Sequence, residues 1–176
     1  MQLKIRLYGD SCLRAKSKPV KEVGPAERIL IASMFDTMRA QKGIGLAAPQ
    51  VGINEQIFVV DTGKDALAII NPKIIKFAGA EESEEGCLSI PNLHVYIKRA
   101  KEIEVEFIDE NNESVRAKIS GLLAKVFQHE NDHLQGKLIL DYLTPADRKM
   151  VLKDIKDGIY IGKDENSEHD RSQEIR

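Results

Sequence analysis

Two histidines four residues apart, His129 and His133, have the spacing in this chain that best suits chemistry. On a helix both imidazoles share one face, so both can reach a single metal ion. Glu130 follows the first histidine directly, where a carboxylate can stand beside a metal-bound water and move its proton. This His-Glu-x-x-His pattern is typical of metallohydrolases and favours an enzyme. It leaves open the third ligand, the metal and the bond that is attacked.

Histidine pairs at this spacing also arise by chance, and a histidine near an apolar face is usually a core residue. In this chain the glutamate occupies the catalytic position, and apolar neighbours would keep the site dry. These neighbours are Leu122, Leu123, Val126, Phe127 and Leu134. The combination favours metal binding over a chance pairing.

The third ligand has to come from elsewhere in the chain. Familiar zinc proteases take it from downstream of the helix, but His169 lies in a polar tail and Asp141 follows the helix too closely. Cys87 is the better candidate, although most free cysteines are small buried hydrophobic residues. We expect Cys12 to be one of those.

A glycine-containing segment, residues 43–50 (GIGLAAPQ), superficially matches the dinucleotide fingerprint G-x-G-x-x-A. The context contradicts that interpretation, because a helix precedes the segment and Pro49 blocks a helix in the required register. A flexible turn is one alternative. A better one is a loop whose glycines let the backbone approach a ligand, with Gln50 as an amide donor.

Composition sets ordinary bounds on the molecule. The 176 residues are 42% apolar, which predicts a single domain with a core. A net charge of −2 gives no basic field for nucleic acid, and no apolar run is long enough to cross a membrane. The N-terminal residues lack the apolar core of a signal peptide, and two cysteines without an export signal favour a reducing cytosol.

The periodicity of apolar residues predicts the elements that position these groups. Helical spacing predicts helices over residues 25–39 and 121–135, and a third helix after the Thr144 cap. Strands are predicted at residues 57–60, 68–70 (closed by Pro72), 103–108 and 115–119. We expect a glycine-broken loop at residues 43–52 and a solvated acidic loop at residues 81–85. We also expect a single domain over residues 1–158 and a disordered polar tail over residues 159–176.

Three segments together resemble the signature motifs of the peptide deformylases, in that family's order and spacing. They are residues 43–50 (GIGLAAPQ), 85–89 (EGCLS) and 128–133 (QHENDH), and the likeness runs to about Leu143. The resemblance implies removal of the formyl group from nascent polypeptides that begin with formylmethionine. It also implies an α+β fold with antiparallel β-sheets around a central metal-binding helix, plus an N-terminal and a C-terminal helix.

The resemblance also implies roles for individual residues. Cys87, His129 and His133 match the metal ligands, with water in the fourth position, and Glu130 matches the general acid/base. The Gln50 side chain and the Leu88 backbone N–H match the donors that stabilise the oxyanion.

Substrate binding and the metal follow from the same resemblance. Backbone groups of Ile44, Gly45 and Gly86 would hold the peptide as an added strand, and Ile44, Leu88 and Val126 would line a methionine pocket. The ligand set suits Fe(II), Zn(II), Ni(II) or Co(II), and the family favours Fe(II). We expect a bacterial cytoplasmic enzyme, although an organelle stays open, with transient ribosome association and no direct nucleic-acid binding.

Other polar residues have more than one interpretation. Asp132 either supports the metal site, pairs with Arg99 or is an exposed helix charge. Lys125, one turn before His129, either extends past the pocket rim or alters the residue accepted after methionine. His94 contacts substrate or, more simply, is a surface histidine.

Two rival functions from other classes agree less well with this sequence. A metallopeptidase acting on internal bonds would need a downstream ligand and would leave residues 85–89 unexplained. A non-catalytic binder of metal or nascent chains would usually have lost one of the ligands, Glu130 or Gln50, and all of these are present.

Overall fold

Two antiparallel sheets and three α-helices make up residues 1–158, the part of the chain that the computed structural model describes. The strands are β1 (Gly45–Ala47), β2 (Ile57–Asp61), β3 (Ala66–Ala78), β4 (Glu81–Cys87), β5 (Ile90–Arg99), β6 (Glu102–Ile108) and β7 (Ser114–Ser120). The helices are α1 (Pro25–Ala40), α2 (Gly121–Leu134) and α3 (Pro145–Lys156). One sheet has the order β1-β2-β3-β6-β7, and β4 pairs with β5 in the other. The predicted α+β class is therefore confirmed, while the predicted tail, residues 159–176, lies outside the described residues.

Strand β2 is buried on both faces and separates two parts of the core. Phe58 and Val60 point to the side of α2, and Phe58 meets Phe127 edge to face at 4.9 Å between ring centroids. Ile57 and Val59 point to the opposite side, with the α1 residues. Because side chains alternate along a strand, one short apolar run supports both helices.

Helix α2 is fixed at both ends by glycines in the left-handed region. Gly121 (φ 63°) follows β7 directly, and Gly136 (φ 72°) follows the C-terminal turn. Glycine adopts this conformation without steric cost, so the helix begins and ends where the sequence predicts. Its apolar face, which includes Ala124 and Phe127, packs on the five-stranded sheet and leaves another face for the site.

Other predicted elements are also confirmed. Helix α1 begins at Pro25, the strands predicted at residues 103–108 and 115–119 are β6 and β7, and the Thr144 hydroxyl accepts a hydrogen bond from the Asp147 N–H at the start of α3. Between β6 and β7 the chain turns at Asn112 (φ 64°). Within residues 1–158, no helix is both long and apolar enough to cross a membrane.

Strand β3 is longer than predicted, because Pro72 does not end it. The register with β6 shifts between Ile70 and Lys73, and Asn71 lies there at φ 51°. The Asn71 side chain bonds the N–H and the C=O of Val20 at 2.8 and 2.7 Å. A bulge accommodates a proline that has no N–H to donate, so the strand continues through it.

The predicted acidic loop at residues 81–85 is wrong, because these residues belong to β4. Glu82 and Glu84 are exposed whereas Ser83 and Glu85 are buried, so the segment alternates as a strand does. Acidic residues are usually depleted in strands, but here the buried Arg99 pairs with Glu85 and the partly exposed Lys125 pairs with Glu81. Strand β5 was not predicted, although Leu93, Val95 and Ile97 alternate in its buried face.

The predicted loop at residues 43–52 is also more regular than expected. It contains β1 and a 3-10 helix at Ala48–Val51, all of whose residues are buried. Two further 3-10 helices lie at Ser11–Arg14 and Ile139–Tyr142.

Asp141 joins the 3-10 helix at Ser11–Arg14, the segment that follows α2, and helix α3. Its carboxylate accepts a hydrogen bond from the Leu138 N–H at 2.9 Å and forms ion pairs with Arg14 and Arg148. Burial raises the pKa of Asp141, but the hydrogen bonds from Arg14 and Leu138 outweigh it and hold the pKa below its ordinary value. The ionised form therefore stabilises the fold.

We expect Asp141→Asn to lower the free energy of unfolding by about 1 kcal/mol at pH 7. Because the folded-state pKa is lowered, this contribution is present above the ordinary carboxyl pKa and disappears as the pH falls through the lowered value. Urea unfolding at pH 7 and below pH about 4 measures the difference. Asp65→Asn is the control, since its exposed carboxylate makes no ion pair with residues 1–158; equal losses in both variants would contradict the expectation.

Candidate metal centre

Three possible metal ligands converge from one strand and one helix. Cys87 ends β4, while His129 and His133 lie one turn apart on α2. Their ligand atoms all lie within 4.8 Å of one another, and Cys87 Sγ is 3.3 Å from His133 Nε2. The structure thus brings the three residues proposed from the sequence into one cluster.

The alternation of β4 explains how Cys87 reaches the helix. Ser83, Glu85 and Cys87 occupy alternate positions and face inward. The pairing of β4 with β5 shifts register between Gly86 and Cys87, and such irregularities re-aim side chains. As a result, the thiol lies beside α2.

Glu85 fixes the orientation of His129. Its Oε2 lies 2.9 Å from His129 Nδ1, which leaves Nε2 free to bind a metal. Burial raises the pKa of Glu85, but hydrogen bonds from Arg99 and His129 outweigh it and lower the pKa to about 2. An ionised carboxylate behind a histidine ligand is a common support in metal sites.

Arg99 is the buried cation that holds Glu85 in place. Its Nε and Nη2 bond the two Glu85 oxygens at 2.8 and 2.9 Å, and its Nη1 bonds Asp132 at 2.7 Å. The Tyr142 hydroxyl donates to the same Asp132 oxygen at 2.6 Å. Of the three interpretations of Asp132, the structure shows the ion pair with Arg99, and this pair belongs to a chain of contacts that ends at His129.

Glu130 points into the site with an elevated proton affinity. It is only 3% exposed, and burial raises the pKa of its carboxyl to about 7. A Cβ on Gly45 would overlap this carboxylate and lie 2.7 Å from Val126 Cγ1. Only glycine lets β1 approach the helix this closely.

Gln50 presents its amide to the same site. Its Oε1 accepts a hydrogen bond from the Ala47 N–H at 2.8 Å, which directs Nε2 inward. Nε2 lies 3.5 Å from Cys87 Sγ and 3.2 Å from Ser89 Oγ. The amide is thereby held as a donor beside the thiol.

A cavity of about 590 Å³ opens in front of these groups. Its lining includes every residue that the sequence suggested for substrate contact: Ile44, Gly45, Gly86, Leu88 and Val126. It also includes Ser83, Leu122, Lys125 and His94, so the lining is mixed in polarity. The size suits a short peptide segment rather than a folded domain.

The remaining sequence candidates lie outside the ligand cluster. Asp141 is occupied by Arg14, and the His169 position lies outside the described residues. Cys12 is half-buried rather than buried, with Sγ 3.3 Å from the Pro49 carbonyl oxygen. His94 is a surface histidine, as expected, 3.7 Å from Glu84 at the cavity rim.

Sequence reasoning missed Glu85 and Tyr142 as parts of the site. The position of Glu85 two residues before Cys87 was a usable signal, because strand alternation puts both on one face. Tyr142 follows α2 by eight residues, and its contact with Asp132 depends on the 3-10 helix at Ile139–Tyr142. No local pattern reveals such a contact.

The residues present fit a divalent metal ion. One thiolate and two imidazoles are the donors that borderline metals prefer. Within residues 1–158, Glu130 Oε2 and His133 Nδ1 are buried without a hydrogen-bond partner. A buried carboxylate oxygen without a partner beside three convergent ligands indicates a place for a bound group.

Comparisons with known proteins agree with this geometry. A family model described as polypeptide deformylase matches residues 2–149. A peptide deformylase of Thermotoga maritima is 43% identical over 155 residues, which cover 88% of this chain and 94% of the relative. The crystal structure of a peptide deformylase from Legionella pneumophila superimposes with a TM-score of 0.86 at 37% identity and covers 90% of this chain and 96% of that one. The chain is thus similar to whole deformylases and not to a fragment of one.

We expect Arg99→Met to weaken metal binding, because Glu85 and Asp132 would lose their buried partner. Removing one member of a buried ion pair costs about 3–5 kcal/mol of unfolding free energy. Loss of the support behind a histidine ligand lowers metal affinity about 10–100-fold. Zinc titration and urea unfolding measure the two effects.

Arg116→Met is the matched control for that experiment. Arg116 pairs with Glu104 at the surface and is 62% exposed, so we expect a loss below about 1 kcal/mol and unchanged zinc affinity. Wild-type zinc affinity in Arg99→Met would contradict the role assigned to Arg99.

Proposed function

This chain belongs to the polypeptide deformylase family and removes the N-terminal formyl group from nascent peptides, and we propose that Glu130, Gln50 and Leu88 carry out the chemistry. The observation that carries the proposal is the convergence of a Cys/His/His ligand set, a buried carboxyl and an inward-facing amide in one cavity. Hydrolysis of the formamide breaks its C–N bond and gives formate and a free amino terminus. It therefore needs a water nucleophile, a proton carrier and oxyanion donors.

Cys87, His129 and His133 would hold the metal. A divalent ion there supplies Lewis-acid polarisation and an acidified water. The protein contributes rigid ligand placement, because Glu85 and Arg99 fix the ring of His129. A preset ligand geometry avoids reorganisation during the reaction.

Glu130 is the proton carrier. Its burial and its pKa of about 7 suit a group that accepts and releases a proton near neutral pH. It takes a proton from the attacking water and delivers it to the departing amine nitrogen. A bound cation would lower this pKa and favour the accepting form.

Gln50 and Leu88 stabilise the oxygen that gains negative charge as the formyl carbon becomes tetrahedral. The Gln50 amide is buried and held by Ala47, so it is already oriented. The Leu88 backbone N–H lies directly after the Cys87 ligand. Oriented donors of this kind contribute about 3–4 kcal/mol to acyl-transfer reactions.

The substrate peptide binds along the cavity wall. Backbone groups of Ile44, Gly45 and Gly86 offer hydrogen bonds to an extended chain. Ile44, Leu88 and Val126 supply an apolar pocket for the methionine side chain. Residues 1–158 form the catalytic domain in this proposal.

Fe(II) is the native metal that we propose. The thiolate and imidazole donors also suit Zn(II), Ni(II) and Co(II), so the family resemblance carries this choice. The bacterial relatives favour a cytoplasmic setting, in which formylmethionyl chains are available as they leave the ribosome. The association with the ribosome would be transient.

A metallopeptidase acting on internal bonds is less consistent with this site. Among residues 1–158, the third member of the ligand cluster is Cys87, which lies upstream of the helix. The motif at residues 85–89 is therefore explained by metal binding. Endopeptidases of the His-Glu-x-x-His type take that ligand from downstream.

We expect Glu130→Gln to lower kcat for formyl-Met-Ala-Ser about 100–10,000-fold, because the proton carrier is removed. Formate release with nickel-loaded protein measures the loss, and metal analysis of the same sample is the control. Retained metal with lost turnover supports the role of Glu130. Wild-type turnover in Glu130→Gln would refute it, and no formate from the wild type would refute the activity itself.

We expect oxygen to inactivate the iron-loaded enzyme, since both Fe(II) and the Cys87 thiolate are oxidisable. The activity of iron-loaded protein purified without oxygen should fall during exposure to air, while nickel-loaded protein should keep its activity. Metal analysis of the anaerobic sample identifies the native ion. An iron-loaded enzyme that stays active in air would contradict this expectation.

A further inference from the structure

Lys125 lines the cavity beside the apolar residues of α2. With Leu122, Val126 and His129 it recurs at helical spacing, so all four side chains share one face of the helix. Lys125 is only 25% exposed, and its Nζ lies 3.0 Å from Glu81 Oε1. A lysine in such a place covers apolar surface with its stem and keeps its charge at the polar end.

The Glu81–Lys125 pair continues the row of contacts that builds the metal centre. Three side-chain bridges join β4 to α2: Glu81 to Lys125, Glu85 to His129 at 2.9 Å, and Cys87 to His133 at 3.3 Å. The strand members lie on one face of β4, and the helix members are four residues apart. The Glu81–Lys125 bridge is the one farthest from Cys87 along β4, and it ties this part of the strand to the helix beside the cavity.

This arrangement gives the Lys125 ammonium an ionic partner that is not part of the cavity lining. Ser83, Leu122 and Val126 line the same cavity as Lys125 and carry no charge. Glu81 does not line the cavity, so its carboxylate draws the ammonium toward the rim. Without Glu81, the flexible lysine could turn its ammonium toward a bound side chain.

We propose that Glu81 and Lys125 determine which first side chain the enzyme accepts. The stem of Lys125 supplies apolar wall for an unbranched side chain such as that of methionine, and Glu81 neutralises and holds the ammonium. This inference rests on the proposed function, because it places the first side chain of the substrate in this cavity. It predicts that loss of Glu81 makes an acidic first residue acceptable.

The test compares formyl-Met-Ala-Ser with formyl-Glu-Ala-Ser on nickel-loaded protein. The readout is kcat/KM for formyl-Met-Ala-Ser divided by kcat/KM for formyl-Glu-Ala-Ser. Both values are measured on one preparation, so the folded and metal-loaded fractions cancel in this ratio. We expect E81Q to lower this ratio about tenfold, mainly through KM, because the freed ammonium attracts the glutamate side chain. An attraction of that size, about 1.4 kcal/mol, is expected for partly solvated charges about 4 Å apart.

Two further variants show whether the effect passes through Lys125. K125M keeps an apolar side chain of similar length and leaves the Glu81 carboxylate without its cationic partner. Because that carboxylate repels a glutamate side chain, we expect the ratio to rise above that of the wild type. The double variant E81Q/K125M removes both charges of the pair, so we expect its ratio to return close to that of the wild type, since no ammonium remains to be freed. E82Q is the matched control, because Glu82 is an exposed β4 neighbour on the opposite face and its loss should leave the ratio unchanged.

An unchanged ratio in E81Q would overturn the inference. A lowered ratio that persists in E81Q/K125M would overturn it as well, because the effect would then not depend on Lys125. Failure of the wild type to release formate from formyl-Met-Ala-Ser would instead count against the proposed function. The two failures are therefore distinguishable in one set of assays.

Discussion

The site depends on the buried ion pair between Arg99 and Glu85. This pair connects β5 to β4, and through His129 it connects both strands to α2. Buried charges are costly unless every charged group has partners, and here Asp132 and Tyr142 complete the set. The Arg99–Glu85 pair fixes the orientation of the His129 ring, and this orientation decides whether His129 can bind a metal.

The core explains why that fixed geometry persists. Helix α2 presents Phe127 to the five-stranded sheet on one side and its ligands to the two-stranded sheet on the other. The helix cannot rotate to release its ligands without exposing the apolar face. Gly45 adds a second constraint, because β1 lies against Glu130 where any side chain would collide with the carboxylate. Packing and chemistry thus require the same placement of one helix.

Much of this architecture could be predicted from the sequence. Helices α1, α2 and α3 follow from apolar periodicity and cap residues, and the ligands, Glu130 and Gln50 follow from motif spacing. Strand β4 could not be predicted from composition, because four of its seven residues are glutamates. Its stability comes from partners distant in sequence, such as Arg99 and Lys125, and no local propensity records them. Pro72 misled in the same way, since the bulge that accommodates it depends on the contact of Asn71 with Val20.

Strands β4 and β5 form a hairpin that, within residues 1–158, shares no backbone ladder with the larger sheet. The hairpin is joined to α2 by side chains, and Cys87 is one of them. A bound ion would therefore act as a cross-link between two cooperative units of the fold, and its binding free energy would add to the free energy of separating them. The backbone amides of the hairpin would then exchange more slowly with solvent when the metal is bound. The local stability of the hairpin would therefore report the fraction of enzyme that carries its metal.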